Sequence, residues 1–499
     1  MKFQAIKGVR DILPPESALW NQVEQAAREV FATYGYGEIR LPIFEPAELF
    51  ARAIGGETDV VSKEMYSFED RPHELLAPPT YGEIGPYIDQ LKTWLENGRI
   101  PQDDDNKFRL VSLVQAWNDF KAKPGDRSVD TNDLIAVYQM GLLRDAVKLG
   151  PALTLRPEAT ASVVRAYIEH GMHTRPGNVK LYYMGPMFRR ERPQKGRYRQ
   201  FYQIGAELLG PSDHPALDAE VIEMLLAFFA RIDLKGATLY LNSIGDRNCR
   251  PAYIEKLREE LRKVKDQLGP DSQRRIETNP LRVLDSKLPE EQAVIEKLPR
   301  IAEHLCDACR EHYAELKRQL ALRGIAYEEN WRLVRGLDYY MRTTFEITAT
   351  GLGSQNAVCG GGRYDGLVEL LGGPATAKGI GFAIGTDRLI LSLEEAGQAA
   401  SAAAIDVFLA WFGAETYPVA VALARKLRER GVAVELPAVE MKFGKSLSLA
   451  DRLGARYAVI LGEEELAAKQ FTVKRLADGD QRKLSETDLL AYLLEARAA

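Results

Sequence analysis

The alternation of apolar and polar positions along the chain gives a first map of its elements. Residues 17–34 (SALWNQVEQAAREVFATY) place Trp20, Val23, Ala27, Val30 and Phe31 at helical spacing behind Ser17 as a cap, which predicts a long amphipathic helix. GYGEIRLPIFEP reads as a short extended segment entering Pro42, and EMYSFED alternates as a strand does. LTL at 153–155 and VKLYYM at 179–184 are further strands, separated by a helical stretch from Ala159 to Glu169. Residues 251–325 are dominated by charged helices, with Leu257, Leu261, Val264 and Leu268 as the buried stripe of YIEKLREELRKVKDQL. The tail alternates strand and helix: IDVFLAWF, a helix to Arg430, VAVEL, a helix from Lys445 to Leu453, YAVILG, FTVKRL and a last helix. That order predicts an α/β domain.

A length of 499 residues predicts about three domains. The small residues of EEAGQAASAAA suit a linker. Residues 72–150 read as an insert, opening with Pro72 and Pro78-Pro79 and carrying the acidic run Asp103–Asp105. Two parts of it are helical in pattern: YIDQLKTWLENG, and DLIAVYQMGLLRDAVKLG with Leu134, Val137, Tyr138 and Leu142 on one face. The expected division is a main domain in three parts (1–71, 151–250 and 326–394), interrupted by the insert 72–150 and a helical module at 251–325. A linker at 395–404 and the α/β domain at 405–499 follow.

Composition narrows the class. Hydrophobic residues at 45% and charged ones at 27% are ordinary for globular proteins and exclude wholesale disorder. No apolar run of membrane-spanning length occurs, and MKFQAIKGVRDILPPE has charges and prolines where a secretory signal is apolar, so a cytoplasmic protein with no membrane partner is expected. Lys and Arg number 66 against 71 acids, a net charge of −5, so any nucleic-acid contact must use local basic surface. Cys249, Cys306, Cys309 and Cys359 are too few and scattered for a disulfide framework, and reduced thiols are expected. Cys306 and Cys309 form a CxxC, but the surrounding sequence is helical, no second CxxC exists and the nearby histidines are His304 and His312. The favoured reading is a helix carrying two thiols rather than a zinc site.

Four stretches carry candidate chemistry. Between Phe188 and Arg199, six cations (Arg189, Arg190, Arg192, Lys195, Arg197 and Arg199) face one acid, Glu191. Extended segments bound this stretch, so it reads as a hairpin tip, and arginine forks suit phosphates. Gln203 and Glu207 follow on one sheet face, flanking Gly205, where polar repeats suggest a pocket floor. WRLVRGLDYYMRTTFEI contains Arg335, Asp338, Tyr339 and Tyr340; CGGGRYDGL permits close backbone approach. GIGFAIGTDRLIL places Arg388 at a strand-to-helix junction, where an anionic ligand accounts for it better than stability does.

GVRDILPPE, KEMYSFEDR, TLRPEATA, GPMFRRERPQKGRYRQFYQIGAE, LVRGLDYY, GGGRYDGL and GFAIGTDRL together resemble, in order, the motifs of the histidyl-tRNA synthetase family, class II aminoacyl-tRNA synthetases. The resemblance spans nearly everything except 72–150. It implies an α+β protein: a class II antiparallel sheet flanked by helices, a helical insertion module by the tRNA acceptor stem and a C-terminal anticodon-binding α/β domain. It also implies a homodimer formed through the early helix and the strand leading to Pro42. The implied reaction joins L-histidine to ATP, releases pyrophosphate and charges histidine tRNA, with Mg2+ assisting. Arg189, Arg335 and Arg388 would be catalytic, meeting the charge that grows on the α-phosphate. Glu191, Arg197 and Phe201 would join Arg189 and Arg388 in holding ATP. Glu158, Ala159 and Thr160 would surround the histidine ammonium, Gln203 and Glu207 would line the site together with Arg189 and Arg335, and Tyr339 and Tyr340 would meet the imidazole.

Three positions depart from the family pattern. Ala159 stands where glycine is usual, which would narrow the pocket, and Asp387 where glutamate is usual. The insert replaces a short turn, and is expected to extend a surface hairpin. An alternative is a non-catalytic histidine-sensing regulatory subunit of ATP phosphoribosyltransferase; that relative lacks the anticodon module and catalytic motif residues, all of which this chain carries.

Overall fold

The computed structural model describes residues 3–56, 58–69, 84–98, 102–121, 151–349, 357–398 and 405–498. The second helix expected in the insert, at 133–150, lies outside them. The chain divides into two compact units, one of Met1–Asp11 and Val23–Gln398, the other of Ile12–Gln22 and Ala399–Ala499.

Among its described residues the larger unit carries eleven strands: β1 (Gly37–Glu38), β2 (Phe44–Pro46), β3 (Tyr66–Glu69), β4 (Ala152–Leu155), β5 (Val179–Phe188), β6 (Gln200–Gly210), β7 (Thr238–Ser243), β8 (Glu328–Glu329), β9 (Met341–Thr348), β10 (Ala357–Arg363) and β11 (Lys378–Gly385). Eight form one sheet in the order β1-β5-β6-β11-β10-β9-β7-β8. Its six central strands are antiparallel, and β1 and β8 join in parallel at the two edges.

Register explains why one face is core and the other a site. One row across the sheet runs Tyr182, Ala206, Phe382, Gly361, Phe345. Phe31 covers it, packing on Tyr182 at 5.6 Å and on Phe382 at 6.0 Å, and Phe228 lies 5.8 Å from Phe31. The neighbouring row, on the opposite face by the period of two, runs Tyr183, Gly205, Ala383, Gly360, Glu346. Its middle three residues have almost no side chain, so the sheet has a hollow there.

The second sheet of this unit, β2-β4-β3, is antiparallel. Glu69 at the end of β3 pairs with Ala152 at the start of β4, so the intervening insert leaves and returns at one hairpin end. The helices Ile84–Glu96 and Asp104–Lys121 lie within the insert and pack on each other.

The smaller unit holds β12 (Val407–Trp411), β13 (Val434–Glu435), β14 (Tyr457–Leu461), β15 (Phe471–Arg475) and β16 (Gln481–Leu484) in the order β13-β12-β14-β15-β16. Its first three strands are parallel, as strand–helix–strand crossovers require, and the last two are antiparallel.

Four local expectations change. The first helix starts at Glu16, so Ser17 lies inside it instead of capping it, and Glu16 accepts a hydrogen bond from the Trp20 indole at 3.1 Å. VAVEL shrinks to the two residues of β13. The helix Glu463–Ala468 and the polar strand β16 carry too little apolar periodicity to be read from sequence. The helix expected to contain both CxxC thiols begins at Asp307, leaving Cys306 outside it as the capping residue.

Candidate active site

The hollow over Gly205, Ala383 and Gly360 is the floor of a cavity of about 280 Å3. Glycine is needed at two of those positions. A Cβ on Gly205 would sit 2.3 Å from the Tyr183 ring, and one on Gly360 would sit 2.1 Å from the Arg335 guanidinium. The glycine run of β10 therefore lets an arginine lie flat on the sheet.

Three elements supply the arginines. Arg189 follows β5, whose end Phe188 pairs with Gln200, so the basic stretch is a hairpin tip as its sequence suggested. Its Nε donates to the Pro157 carbonyl at 2.9 Å and its guanidinium lies 5.3 Å from the Phe201 ring centre. Arg388 enters from the helix Thr386–Glu395 directly after β11, and donates to the carbonyls of Gly196 at 3.3 Å and Ala357 at 3.1 Å. Burial, and then the nearby Arg197 guanidinium, hold its pKa below the usual arginine value. Arg335 comes from the loop before β9, pairs with Glu346 at 3.2 Å and lies 5.8 Å from the Tyr340 ring centre. All three line the one cavity. Glu191 also lines it, tied to Arg197 at 3.2 Å. Four cations, Arg189, Arg197, Arg335 and Arg388, thus share the cavity with two carboxylates paired to them, Glu191 and Glu346, and the excess of positive charge forms a place for a polyanion.

The other end is polar and buried. Glu158 accepts the backbone N–H groups of Thr160 at 2.7 Å and Ala161 at 2.9 Å, at the start of the helix Thr160–Glu169, and the Tyr339 hydroxyl at 3.4 Å. Burial nevertheless leaves its carboxyl above the usual range. Tyr339 and Tyr340 pack with centroids 4.7 Å apart. Among the described residues the Tyr183 hydroxyl, Gln203 Oε1 and Arg335 Nε are buried without a hydrogen-bond partner, and all three residues line the cavity. Unpaired buried polar atoms cost stability, and a polar ligand would supply what they lack.

Of the residues singled out from sequence, Glu158, Thr160, Arg189, Glu191, Arg197, Phe201, Gln203, Arg335, Tyr339, Tyr340 and Arg388 all line this cavity. Ala159 and Glu207 do not. The Ala159 methyl is fully buried in the apolar core, so it does not narrow the pocket as expected. Glu207 shares a sheet face with Gln203 but stands behind the wall, where it accepts from Thr160 at 2.7 Å and Tyr364 at 2.6 Å. Burial pushes its carboxyl up to about 8 against the pull of those two donors, and the neighbouring Glu158 adds to the rise. Asp387 reaches the Tyr202 N–H at 2.9 Å and Arg10 at 3.2 Å, fixing the start of β6 despite its shorter side chain. Tyr183 and Glu346 also line the cavity and were missed: nothing in VKLYYM or TTFEI marks a pocket wall until the strands are paired.

Arginines projecting from a hairpin tip and from a strand-to-helix junction over an antiparallel sheet are the arrangement of class II aminoacyl-tRNA synthetases. The histidyl-tRNA synthetase family model matches residues 136–389, and an anticodon-binding-domain model matches residues 406–496. Proteins called Histidine--tRNA ligase from Koribacter versatilis and Solibacter usitatus are 47% and 45% identical, each over 98% of this chain and over 96% and 99% of their own lengths. The solved structure of apo histidyl-tRNA synthetase from S. aureus is 32% identical, with a TM-score of 0.70, over 99% of this chain and all of that one. The chain belongs to the histidyl-tRNA synthetase family.

Proposed function

We propose that this chain is a histidine--tRNA ligase that activates L-histidine with ATP to histidyl-adenylate and then passes the histidyl group to the 3′ end of histidine tRNA. The observation that carries this reading is the meeting of Arg189, Arg335 and Arg388 in one cavity beside a buried polar compartment. The histidine carboxylate attacks the α-phosphate, and negative charge grows on that phosphate while pyrophosphate leaves. Arg189 and Arg335 stabilise this charge from two sides, and Arg388, with Arg197, holds the departing phosphates. Glu191 reads the adenine and Phe201 stacks on it.

In the buried compartment, Glu158 and Thr160 receive the ammonium, while Tyr183, Gln203, Tyr339 and Tyr340 surround the imidazole. Glu207 acts from behind through its bond with Thr160. An apolar amino acid would leave these polar atoms unmatched, which is an effective basis for rejection. Mg2+ would accompany ATP and neutralise part of its phosphate charge, with a carboxylate of the cavity to hold it. Glu346 fits that role, being a cavity carboxylate whose position Arg335 fixes at 3.2 Å.

Residues 406–496 bind the anticodon, and the family match there favours the enzyme over the histidine-sensing alternative. The cytoplasm is the compartment proposed from the family's role in translation; no helix among the described residues is long and apolar enough to cross a membrane. A homodimer is supported by Ile43, Phe44 and Phe68, all on or next to the small sheet and about half exposed.

Histidine-dependent exchange of pyrophosphate into ATP, followed by charging of histidine tRNA, tests the reading. Histidine binding without either activity would establish the sensor instead.

A further inference from the structure

Three of the four cysteines, distant in sequence, converge away from the catalytic cavity. Cys249 Sγ lies 3.9 Å from Cys309 Sγ, and Asp246 Oδ1 lies 3.6 Å from Cys249 Sγ and 3.9 Å from Cys306 Sγ. One ligand atom from each of Asp246, Cys249, Cys306 and Cys309 falls within 4.8 Å of all the others. Asp246, Cys249 and Cys309 are buried and Cys306 is partly so. The pairs are spaced D-x-x-C and C-x-x-C, so the partner that the lone CxxC lacked in sequence is a mixed pair sixty residues away.

We propose that these four side chains bind one structural zinc ion. A tetrahedral zinc with Zn–S of about 2.3 Å and Zn–O of about 2.0 Å sets thiolates about 3.8 Å apart and a thiolate about 3.5 Å from a carboxylate oxygen. The separations of 3.6, 3.9 and 3.9 Å approach those edges, and all the others fall within 4.8 Å. With all four ligand atoms within 4.8 Å of one another they suit a single ion rather than an iron–sulfur cluster, which spreads its ligands over two or more irons, and a carboxylate among the ligands disfavours copper(I).

The surroundings are built for such a centre. Gly245 has φ +66°, and a Cβ there would come within 2.8 Å of Cys249 Sγ. The turn it makes lets the Asp246 N–H point at Cys249 Sγ at 3.4 Å, a contact that steadies a thiolate. Cys249 and Cys306 cap the helices Arg250–Lys263 and Asp307–Leu322, so two positive helix ends face the thiolates. Arg342, held at φ +51°, places its guanidinium 3.7 Å from Asp246 and offsets the excess negative charge of three thiolates and a carboxylate on a divalent ion.

The position gives the ion a purpose. The start of the helix Arg250–Lys263 and the start of the helix Asp307–Leu322, with most of the helical module between them, meet there. The same node touches the histidine-binding loop: Arg250 donates to the Tyr340 carbonyl at 2.5 Å, and the Arg342 N–H to the Gly245 carbonyl at 2.6 Å. The zinc would clasp the module closed and steady the loop of Tyr339 and Tyr340 from behind.

Metal analysis of the full-length enzyme, purified without chelator and without a polyhistidine tag, tests this. About one zinc per chain is expected, falling below about a tenth in Cys306→Ser, while Cys359→Ser keeps its zinc. Cys306 is the only partly exposed ligand, so that variant has the best prospect of folding. In parallel, cobalt(II) added to reduced, metal-stripped wild-type protein should give thiolate-to-cobalt charge-transfer absorption. Four thiols that react freely in the unfolded, purified protein, with no bound zinc and no such absorption, would overturn the proposal, as would a Cys249–Cys309 disulfide in protein purified under reducing conditions.

Discussion

The two ends of the cavity solve different problems with different side chains. At the end proposed for the phosphates, the carbonyls of Pro157, Gly196 and Ala357 orient Arg189 and Arg388, and Glu191 stands 3.9 Å from Arg189. At the histidine end the groups are neutral or already bonded to one another, and the Tyr183 hydroxyl and Gln203 Oε1 stay buried without partners. On the proposed function, the first end serves charge that grows during reaction, and the second serves discrimination, because its buried polar atoms are left to be matched by the substrate side chain.

Arg335 stands at the seam, with Glu346 on one side and the Tyr340 ring on the other, so its loss gives the largest expected effect. Arg335→Ala should lower the rate of histidine-dependent pyrophosphate exchange about 10²–10³-fold, the range seen when one transition-state donor is removed. Its circular dichroism spectrum should stay native. Arg335→Lys should recover only part of the rate, because an ammonium cannot reproduce a planar fork. Near-normal exchange by the alanine variant would remove Arg335 from the chemistry and leave it a structural partner of Glu346.

Tyr183 separates the two ends by a different measurement. Removing a buried hydroxyl that has no partner should raise the melting temperature of the ligand-free enzyme, so Tyr183→Phe is expected to be slightly stabilised. The same change should raise KM for histidine about tenfold, the worth of one hydrogen bond, and leave KM for ATP unchanged. A more stable variant with unaltered KM for histidine would show that the hydroxyl does not meet the substrate.

How much of this was legible in sequence depended on what each signal encodes. Alternation and turn residues located the β5–β6 hairpin and the β11-to-helix junction, and with them Arg189 and Arg388, because those features are local. The period of two also placed Gln203 and Glu207 on one face. It could not show which residues stand across the sheet, so Tyr183 opposite Gly205 and Glu346 opposite Gly360 looked like ordinary strand positions. Nor could it tell a cavity wall from the layer behind, and Ala159 and Glu207, both named with the site residues, are not among those that line the cavity. The Asp246–Cys249 pair was invisible for the same reason: the contact closes over sixty residues. Roles for single residues came from resemblance to a family, and pairing across the sheet then gave those residues a common cavity.

Glu207 carries the smallest effect, and it concerns stability more than turnover. Its folded-state pKa, raised to about 8 by burial, lies well above the ordinary carboxyl value of 4.5 that it regains on unfolding. Between those two values the folded protein holds a proton that the unfolded chain releases, so raising the pH favours unfolding, and the contribution falls progressively from about pH 4.5 to about pH 8. Glu207→Gln removes the titration, and its amide can still accept from Thr160. The wild-type melting temperature should therefore drop more steeply than that of the variant as the pH is raised from about 5 to about 8. Because Glu207 lies behind the wall, the variant should also keep KM for ATP and change KM for histidine less than Tyr183→Phe does. Parallel stability profiles for the two proteins would mean that Glu207 is ionised throughout this range, held so by its Thr160 and Tyr364 donors, and the buried layer behind the histidine site would then carry a negative charge rather than a proton.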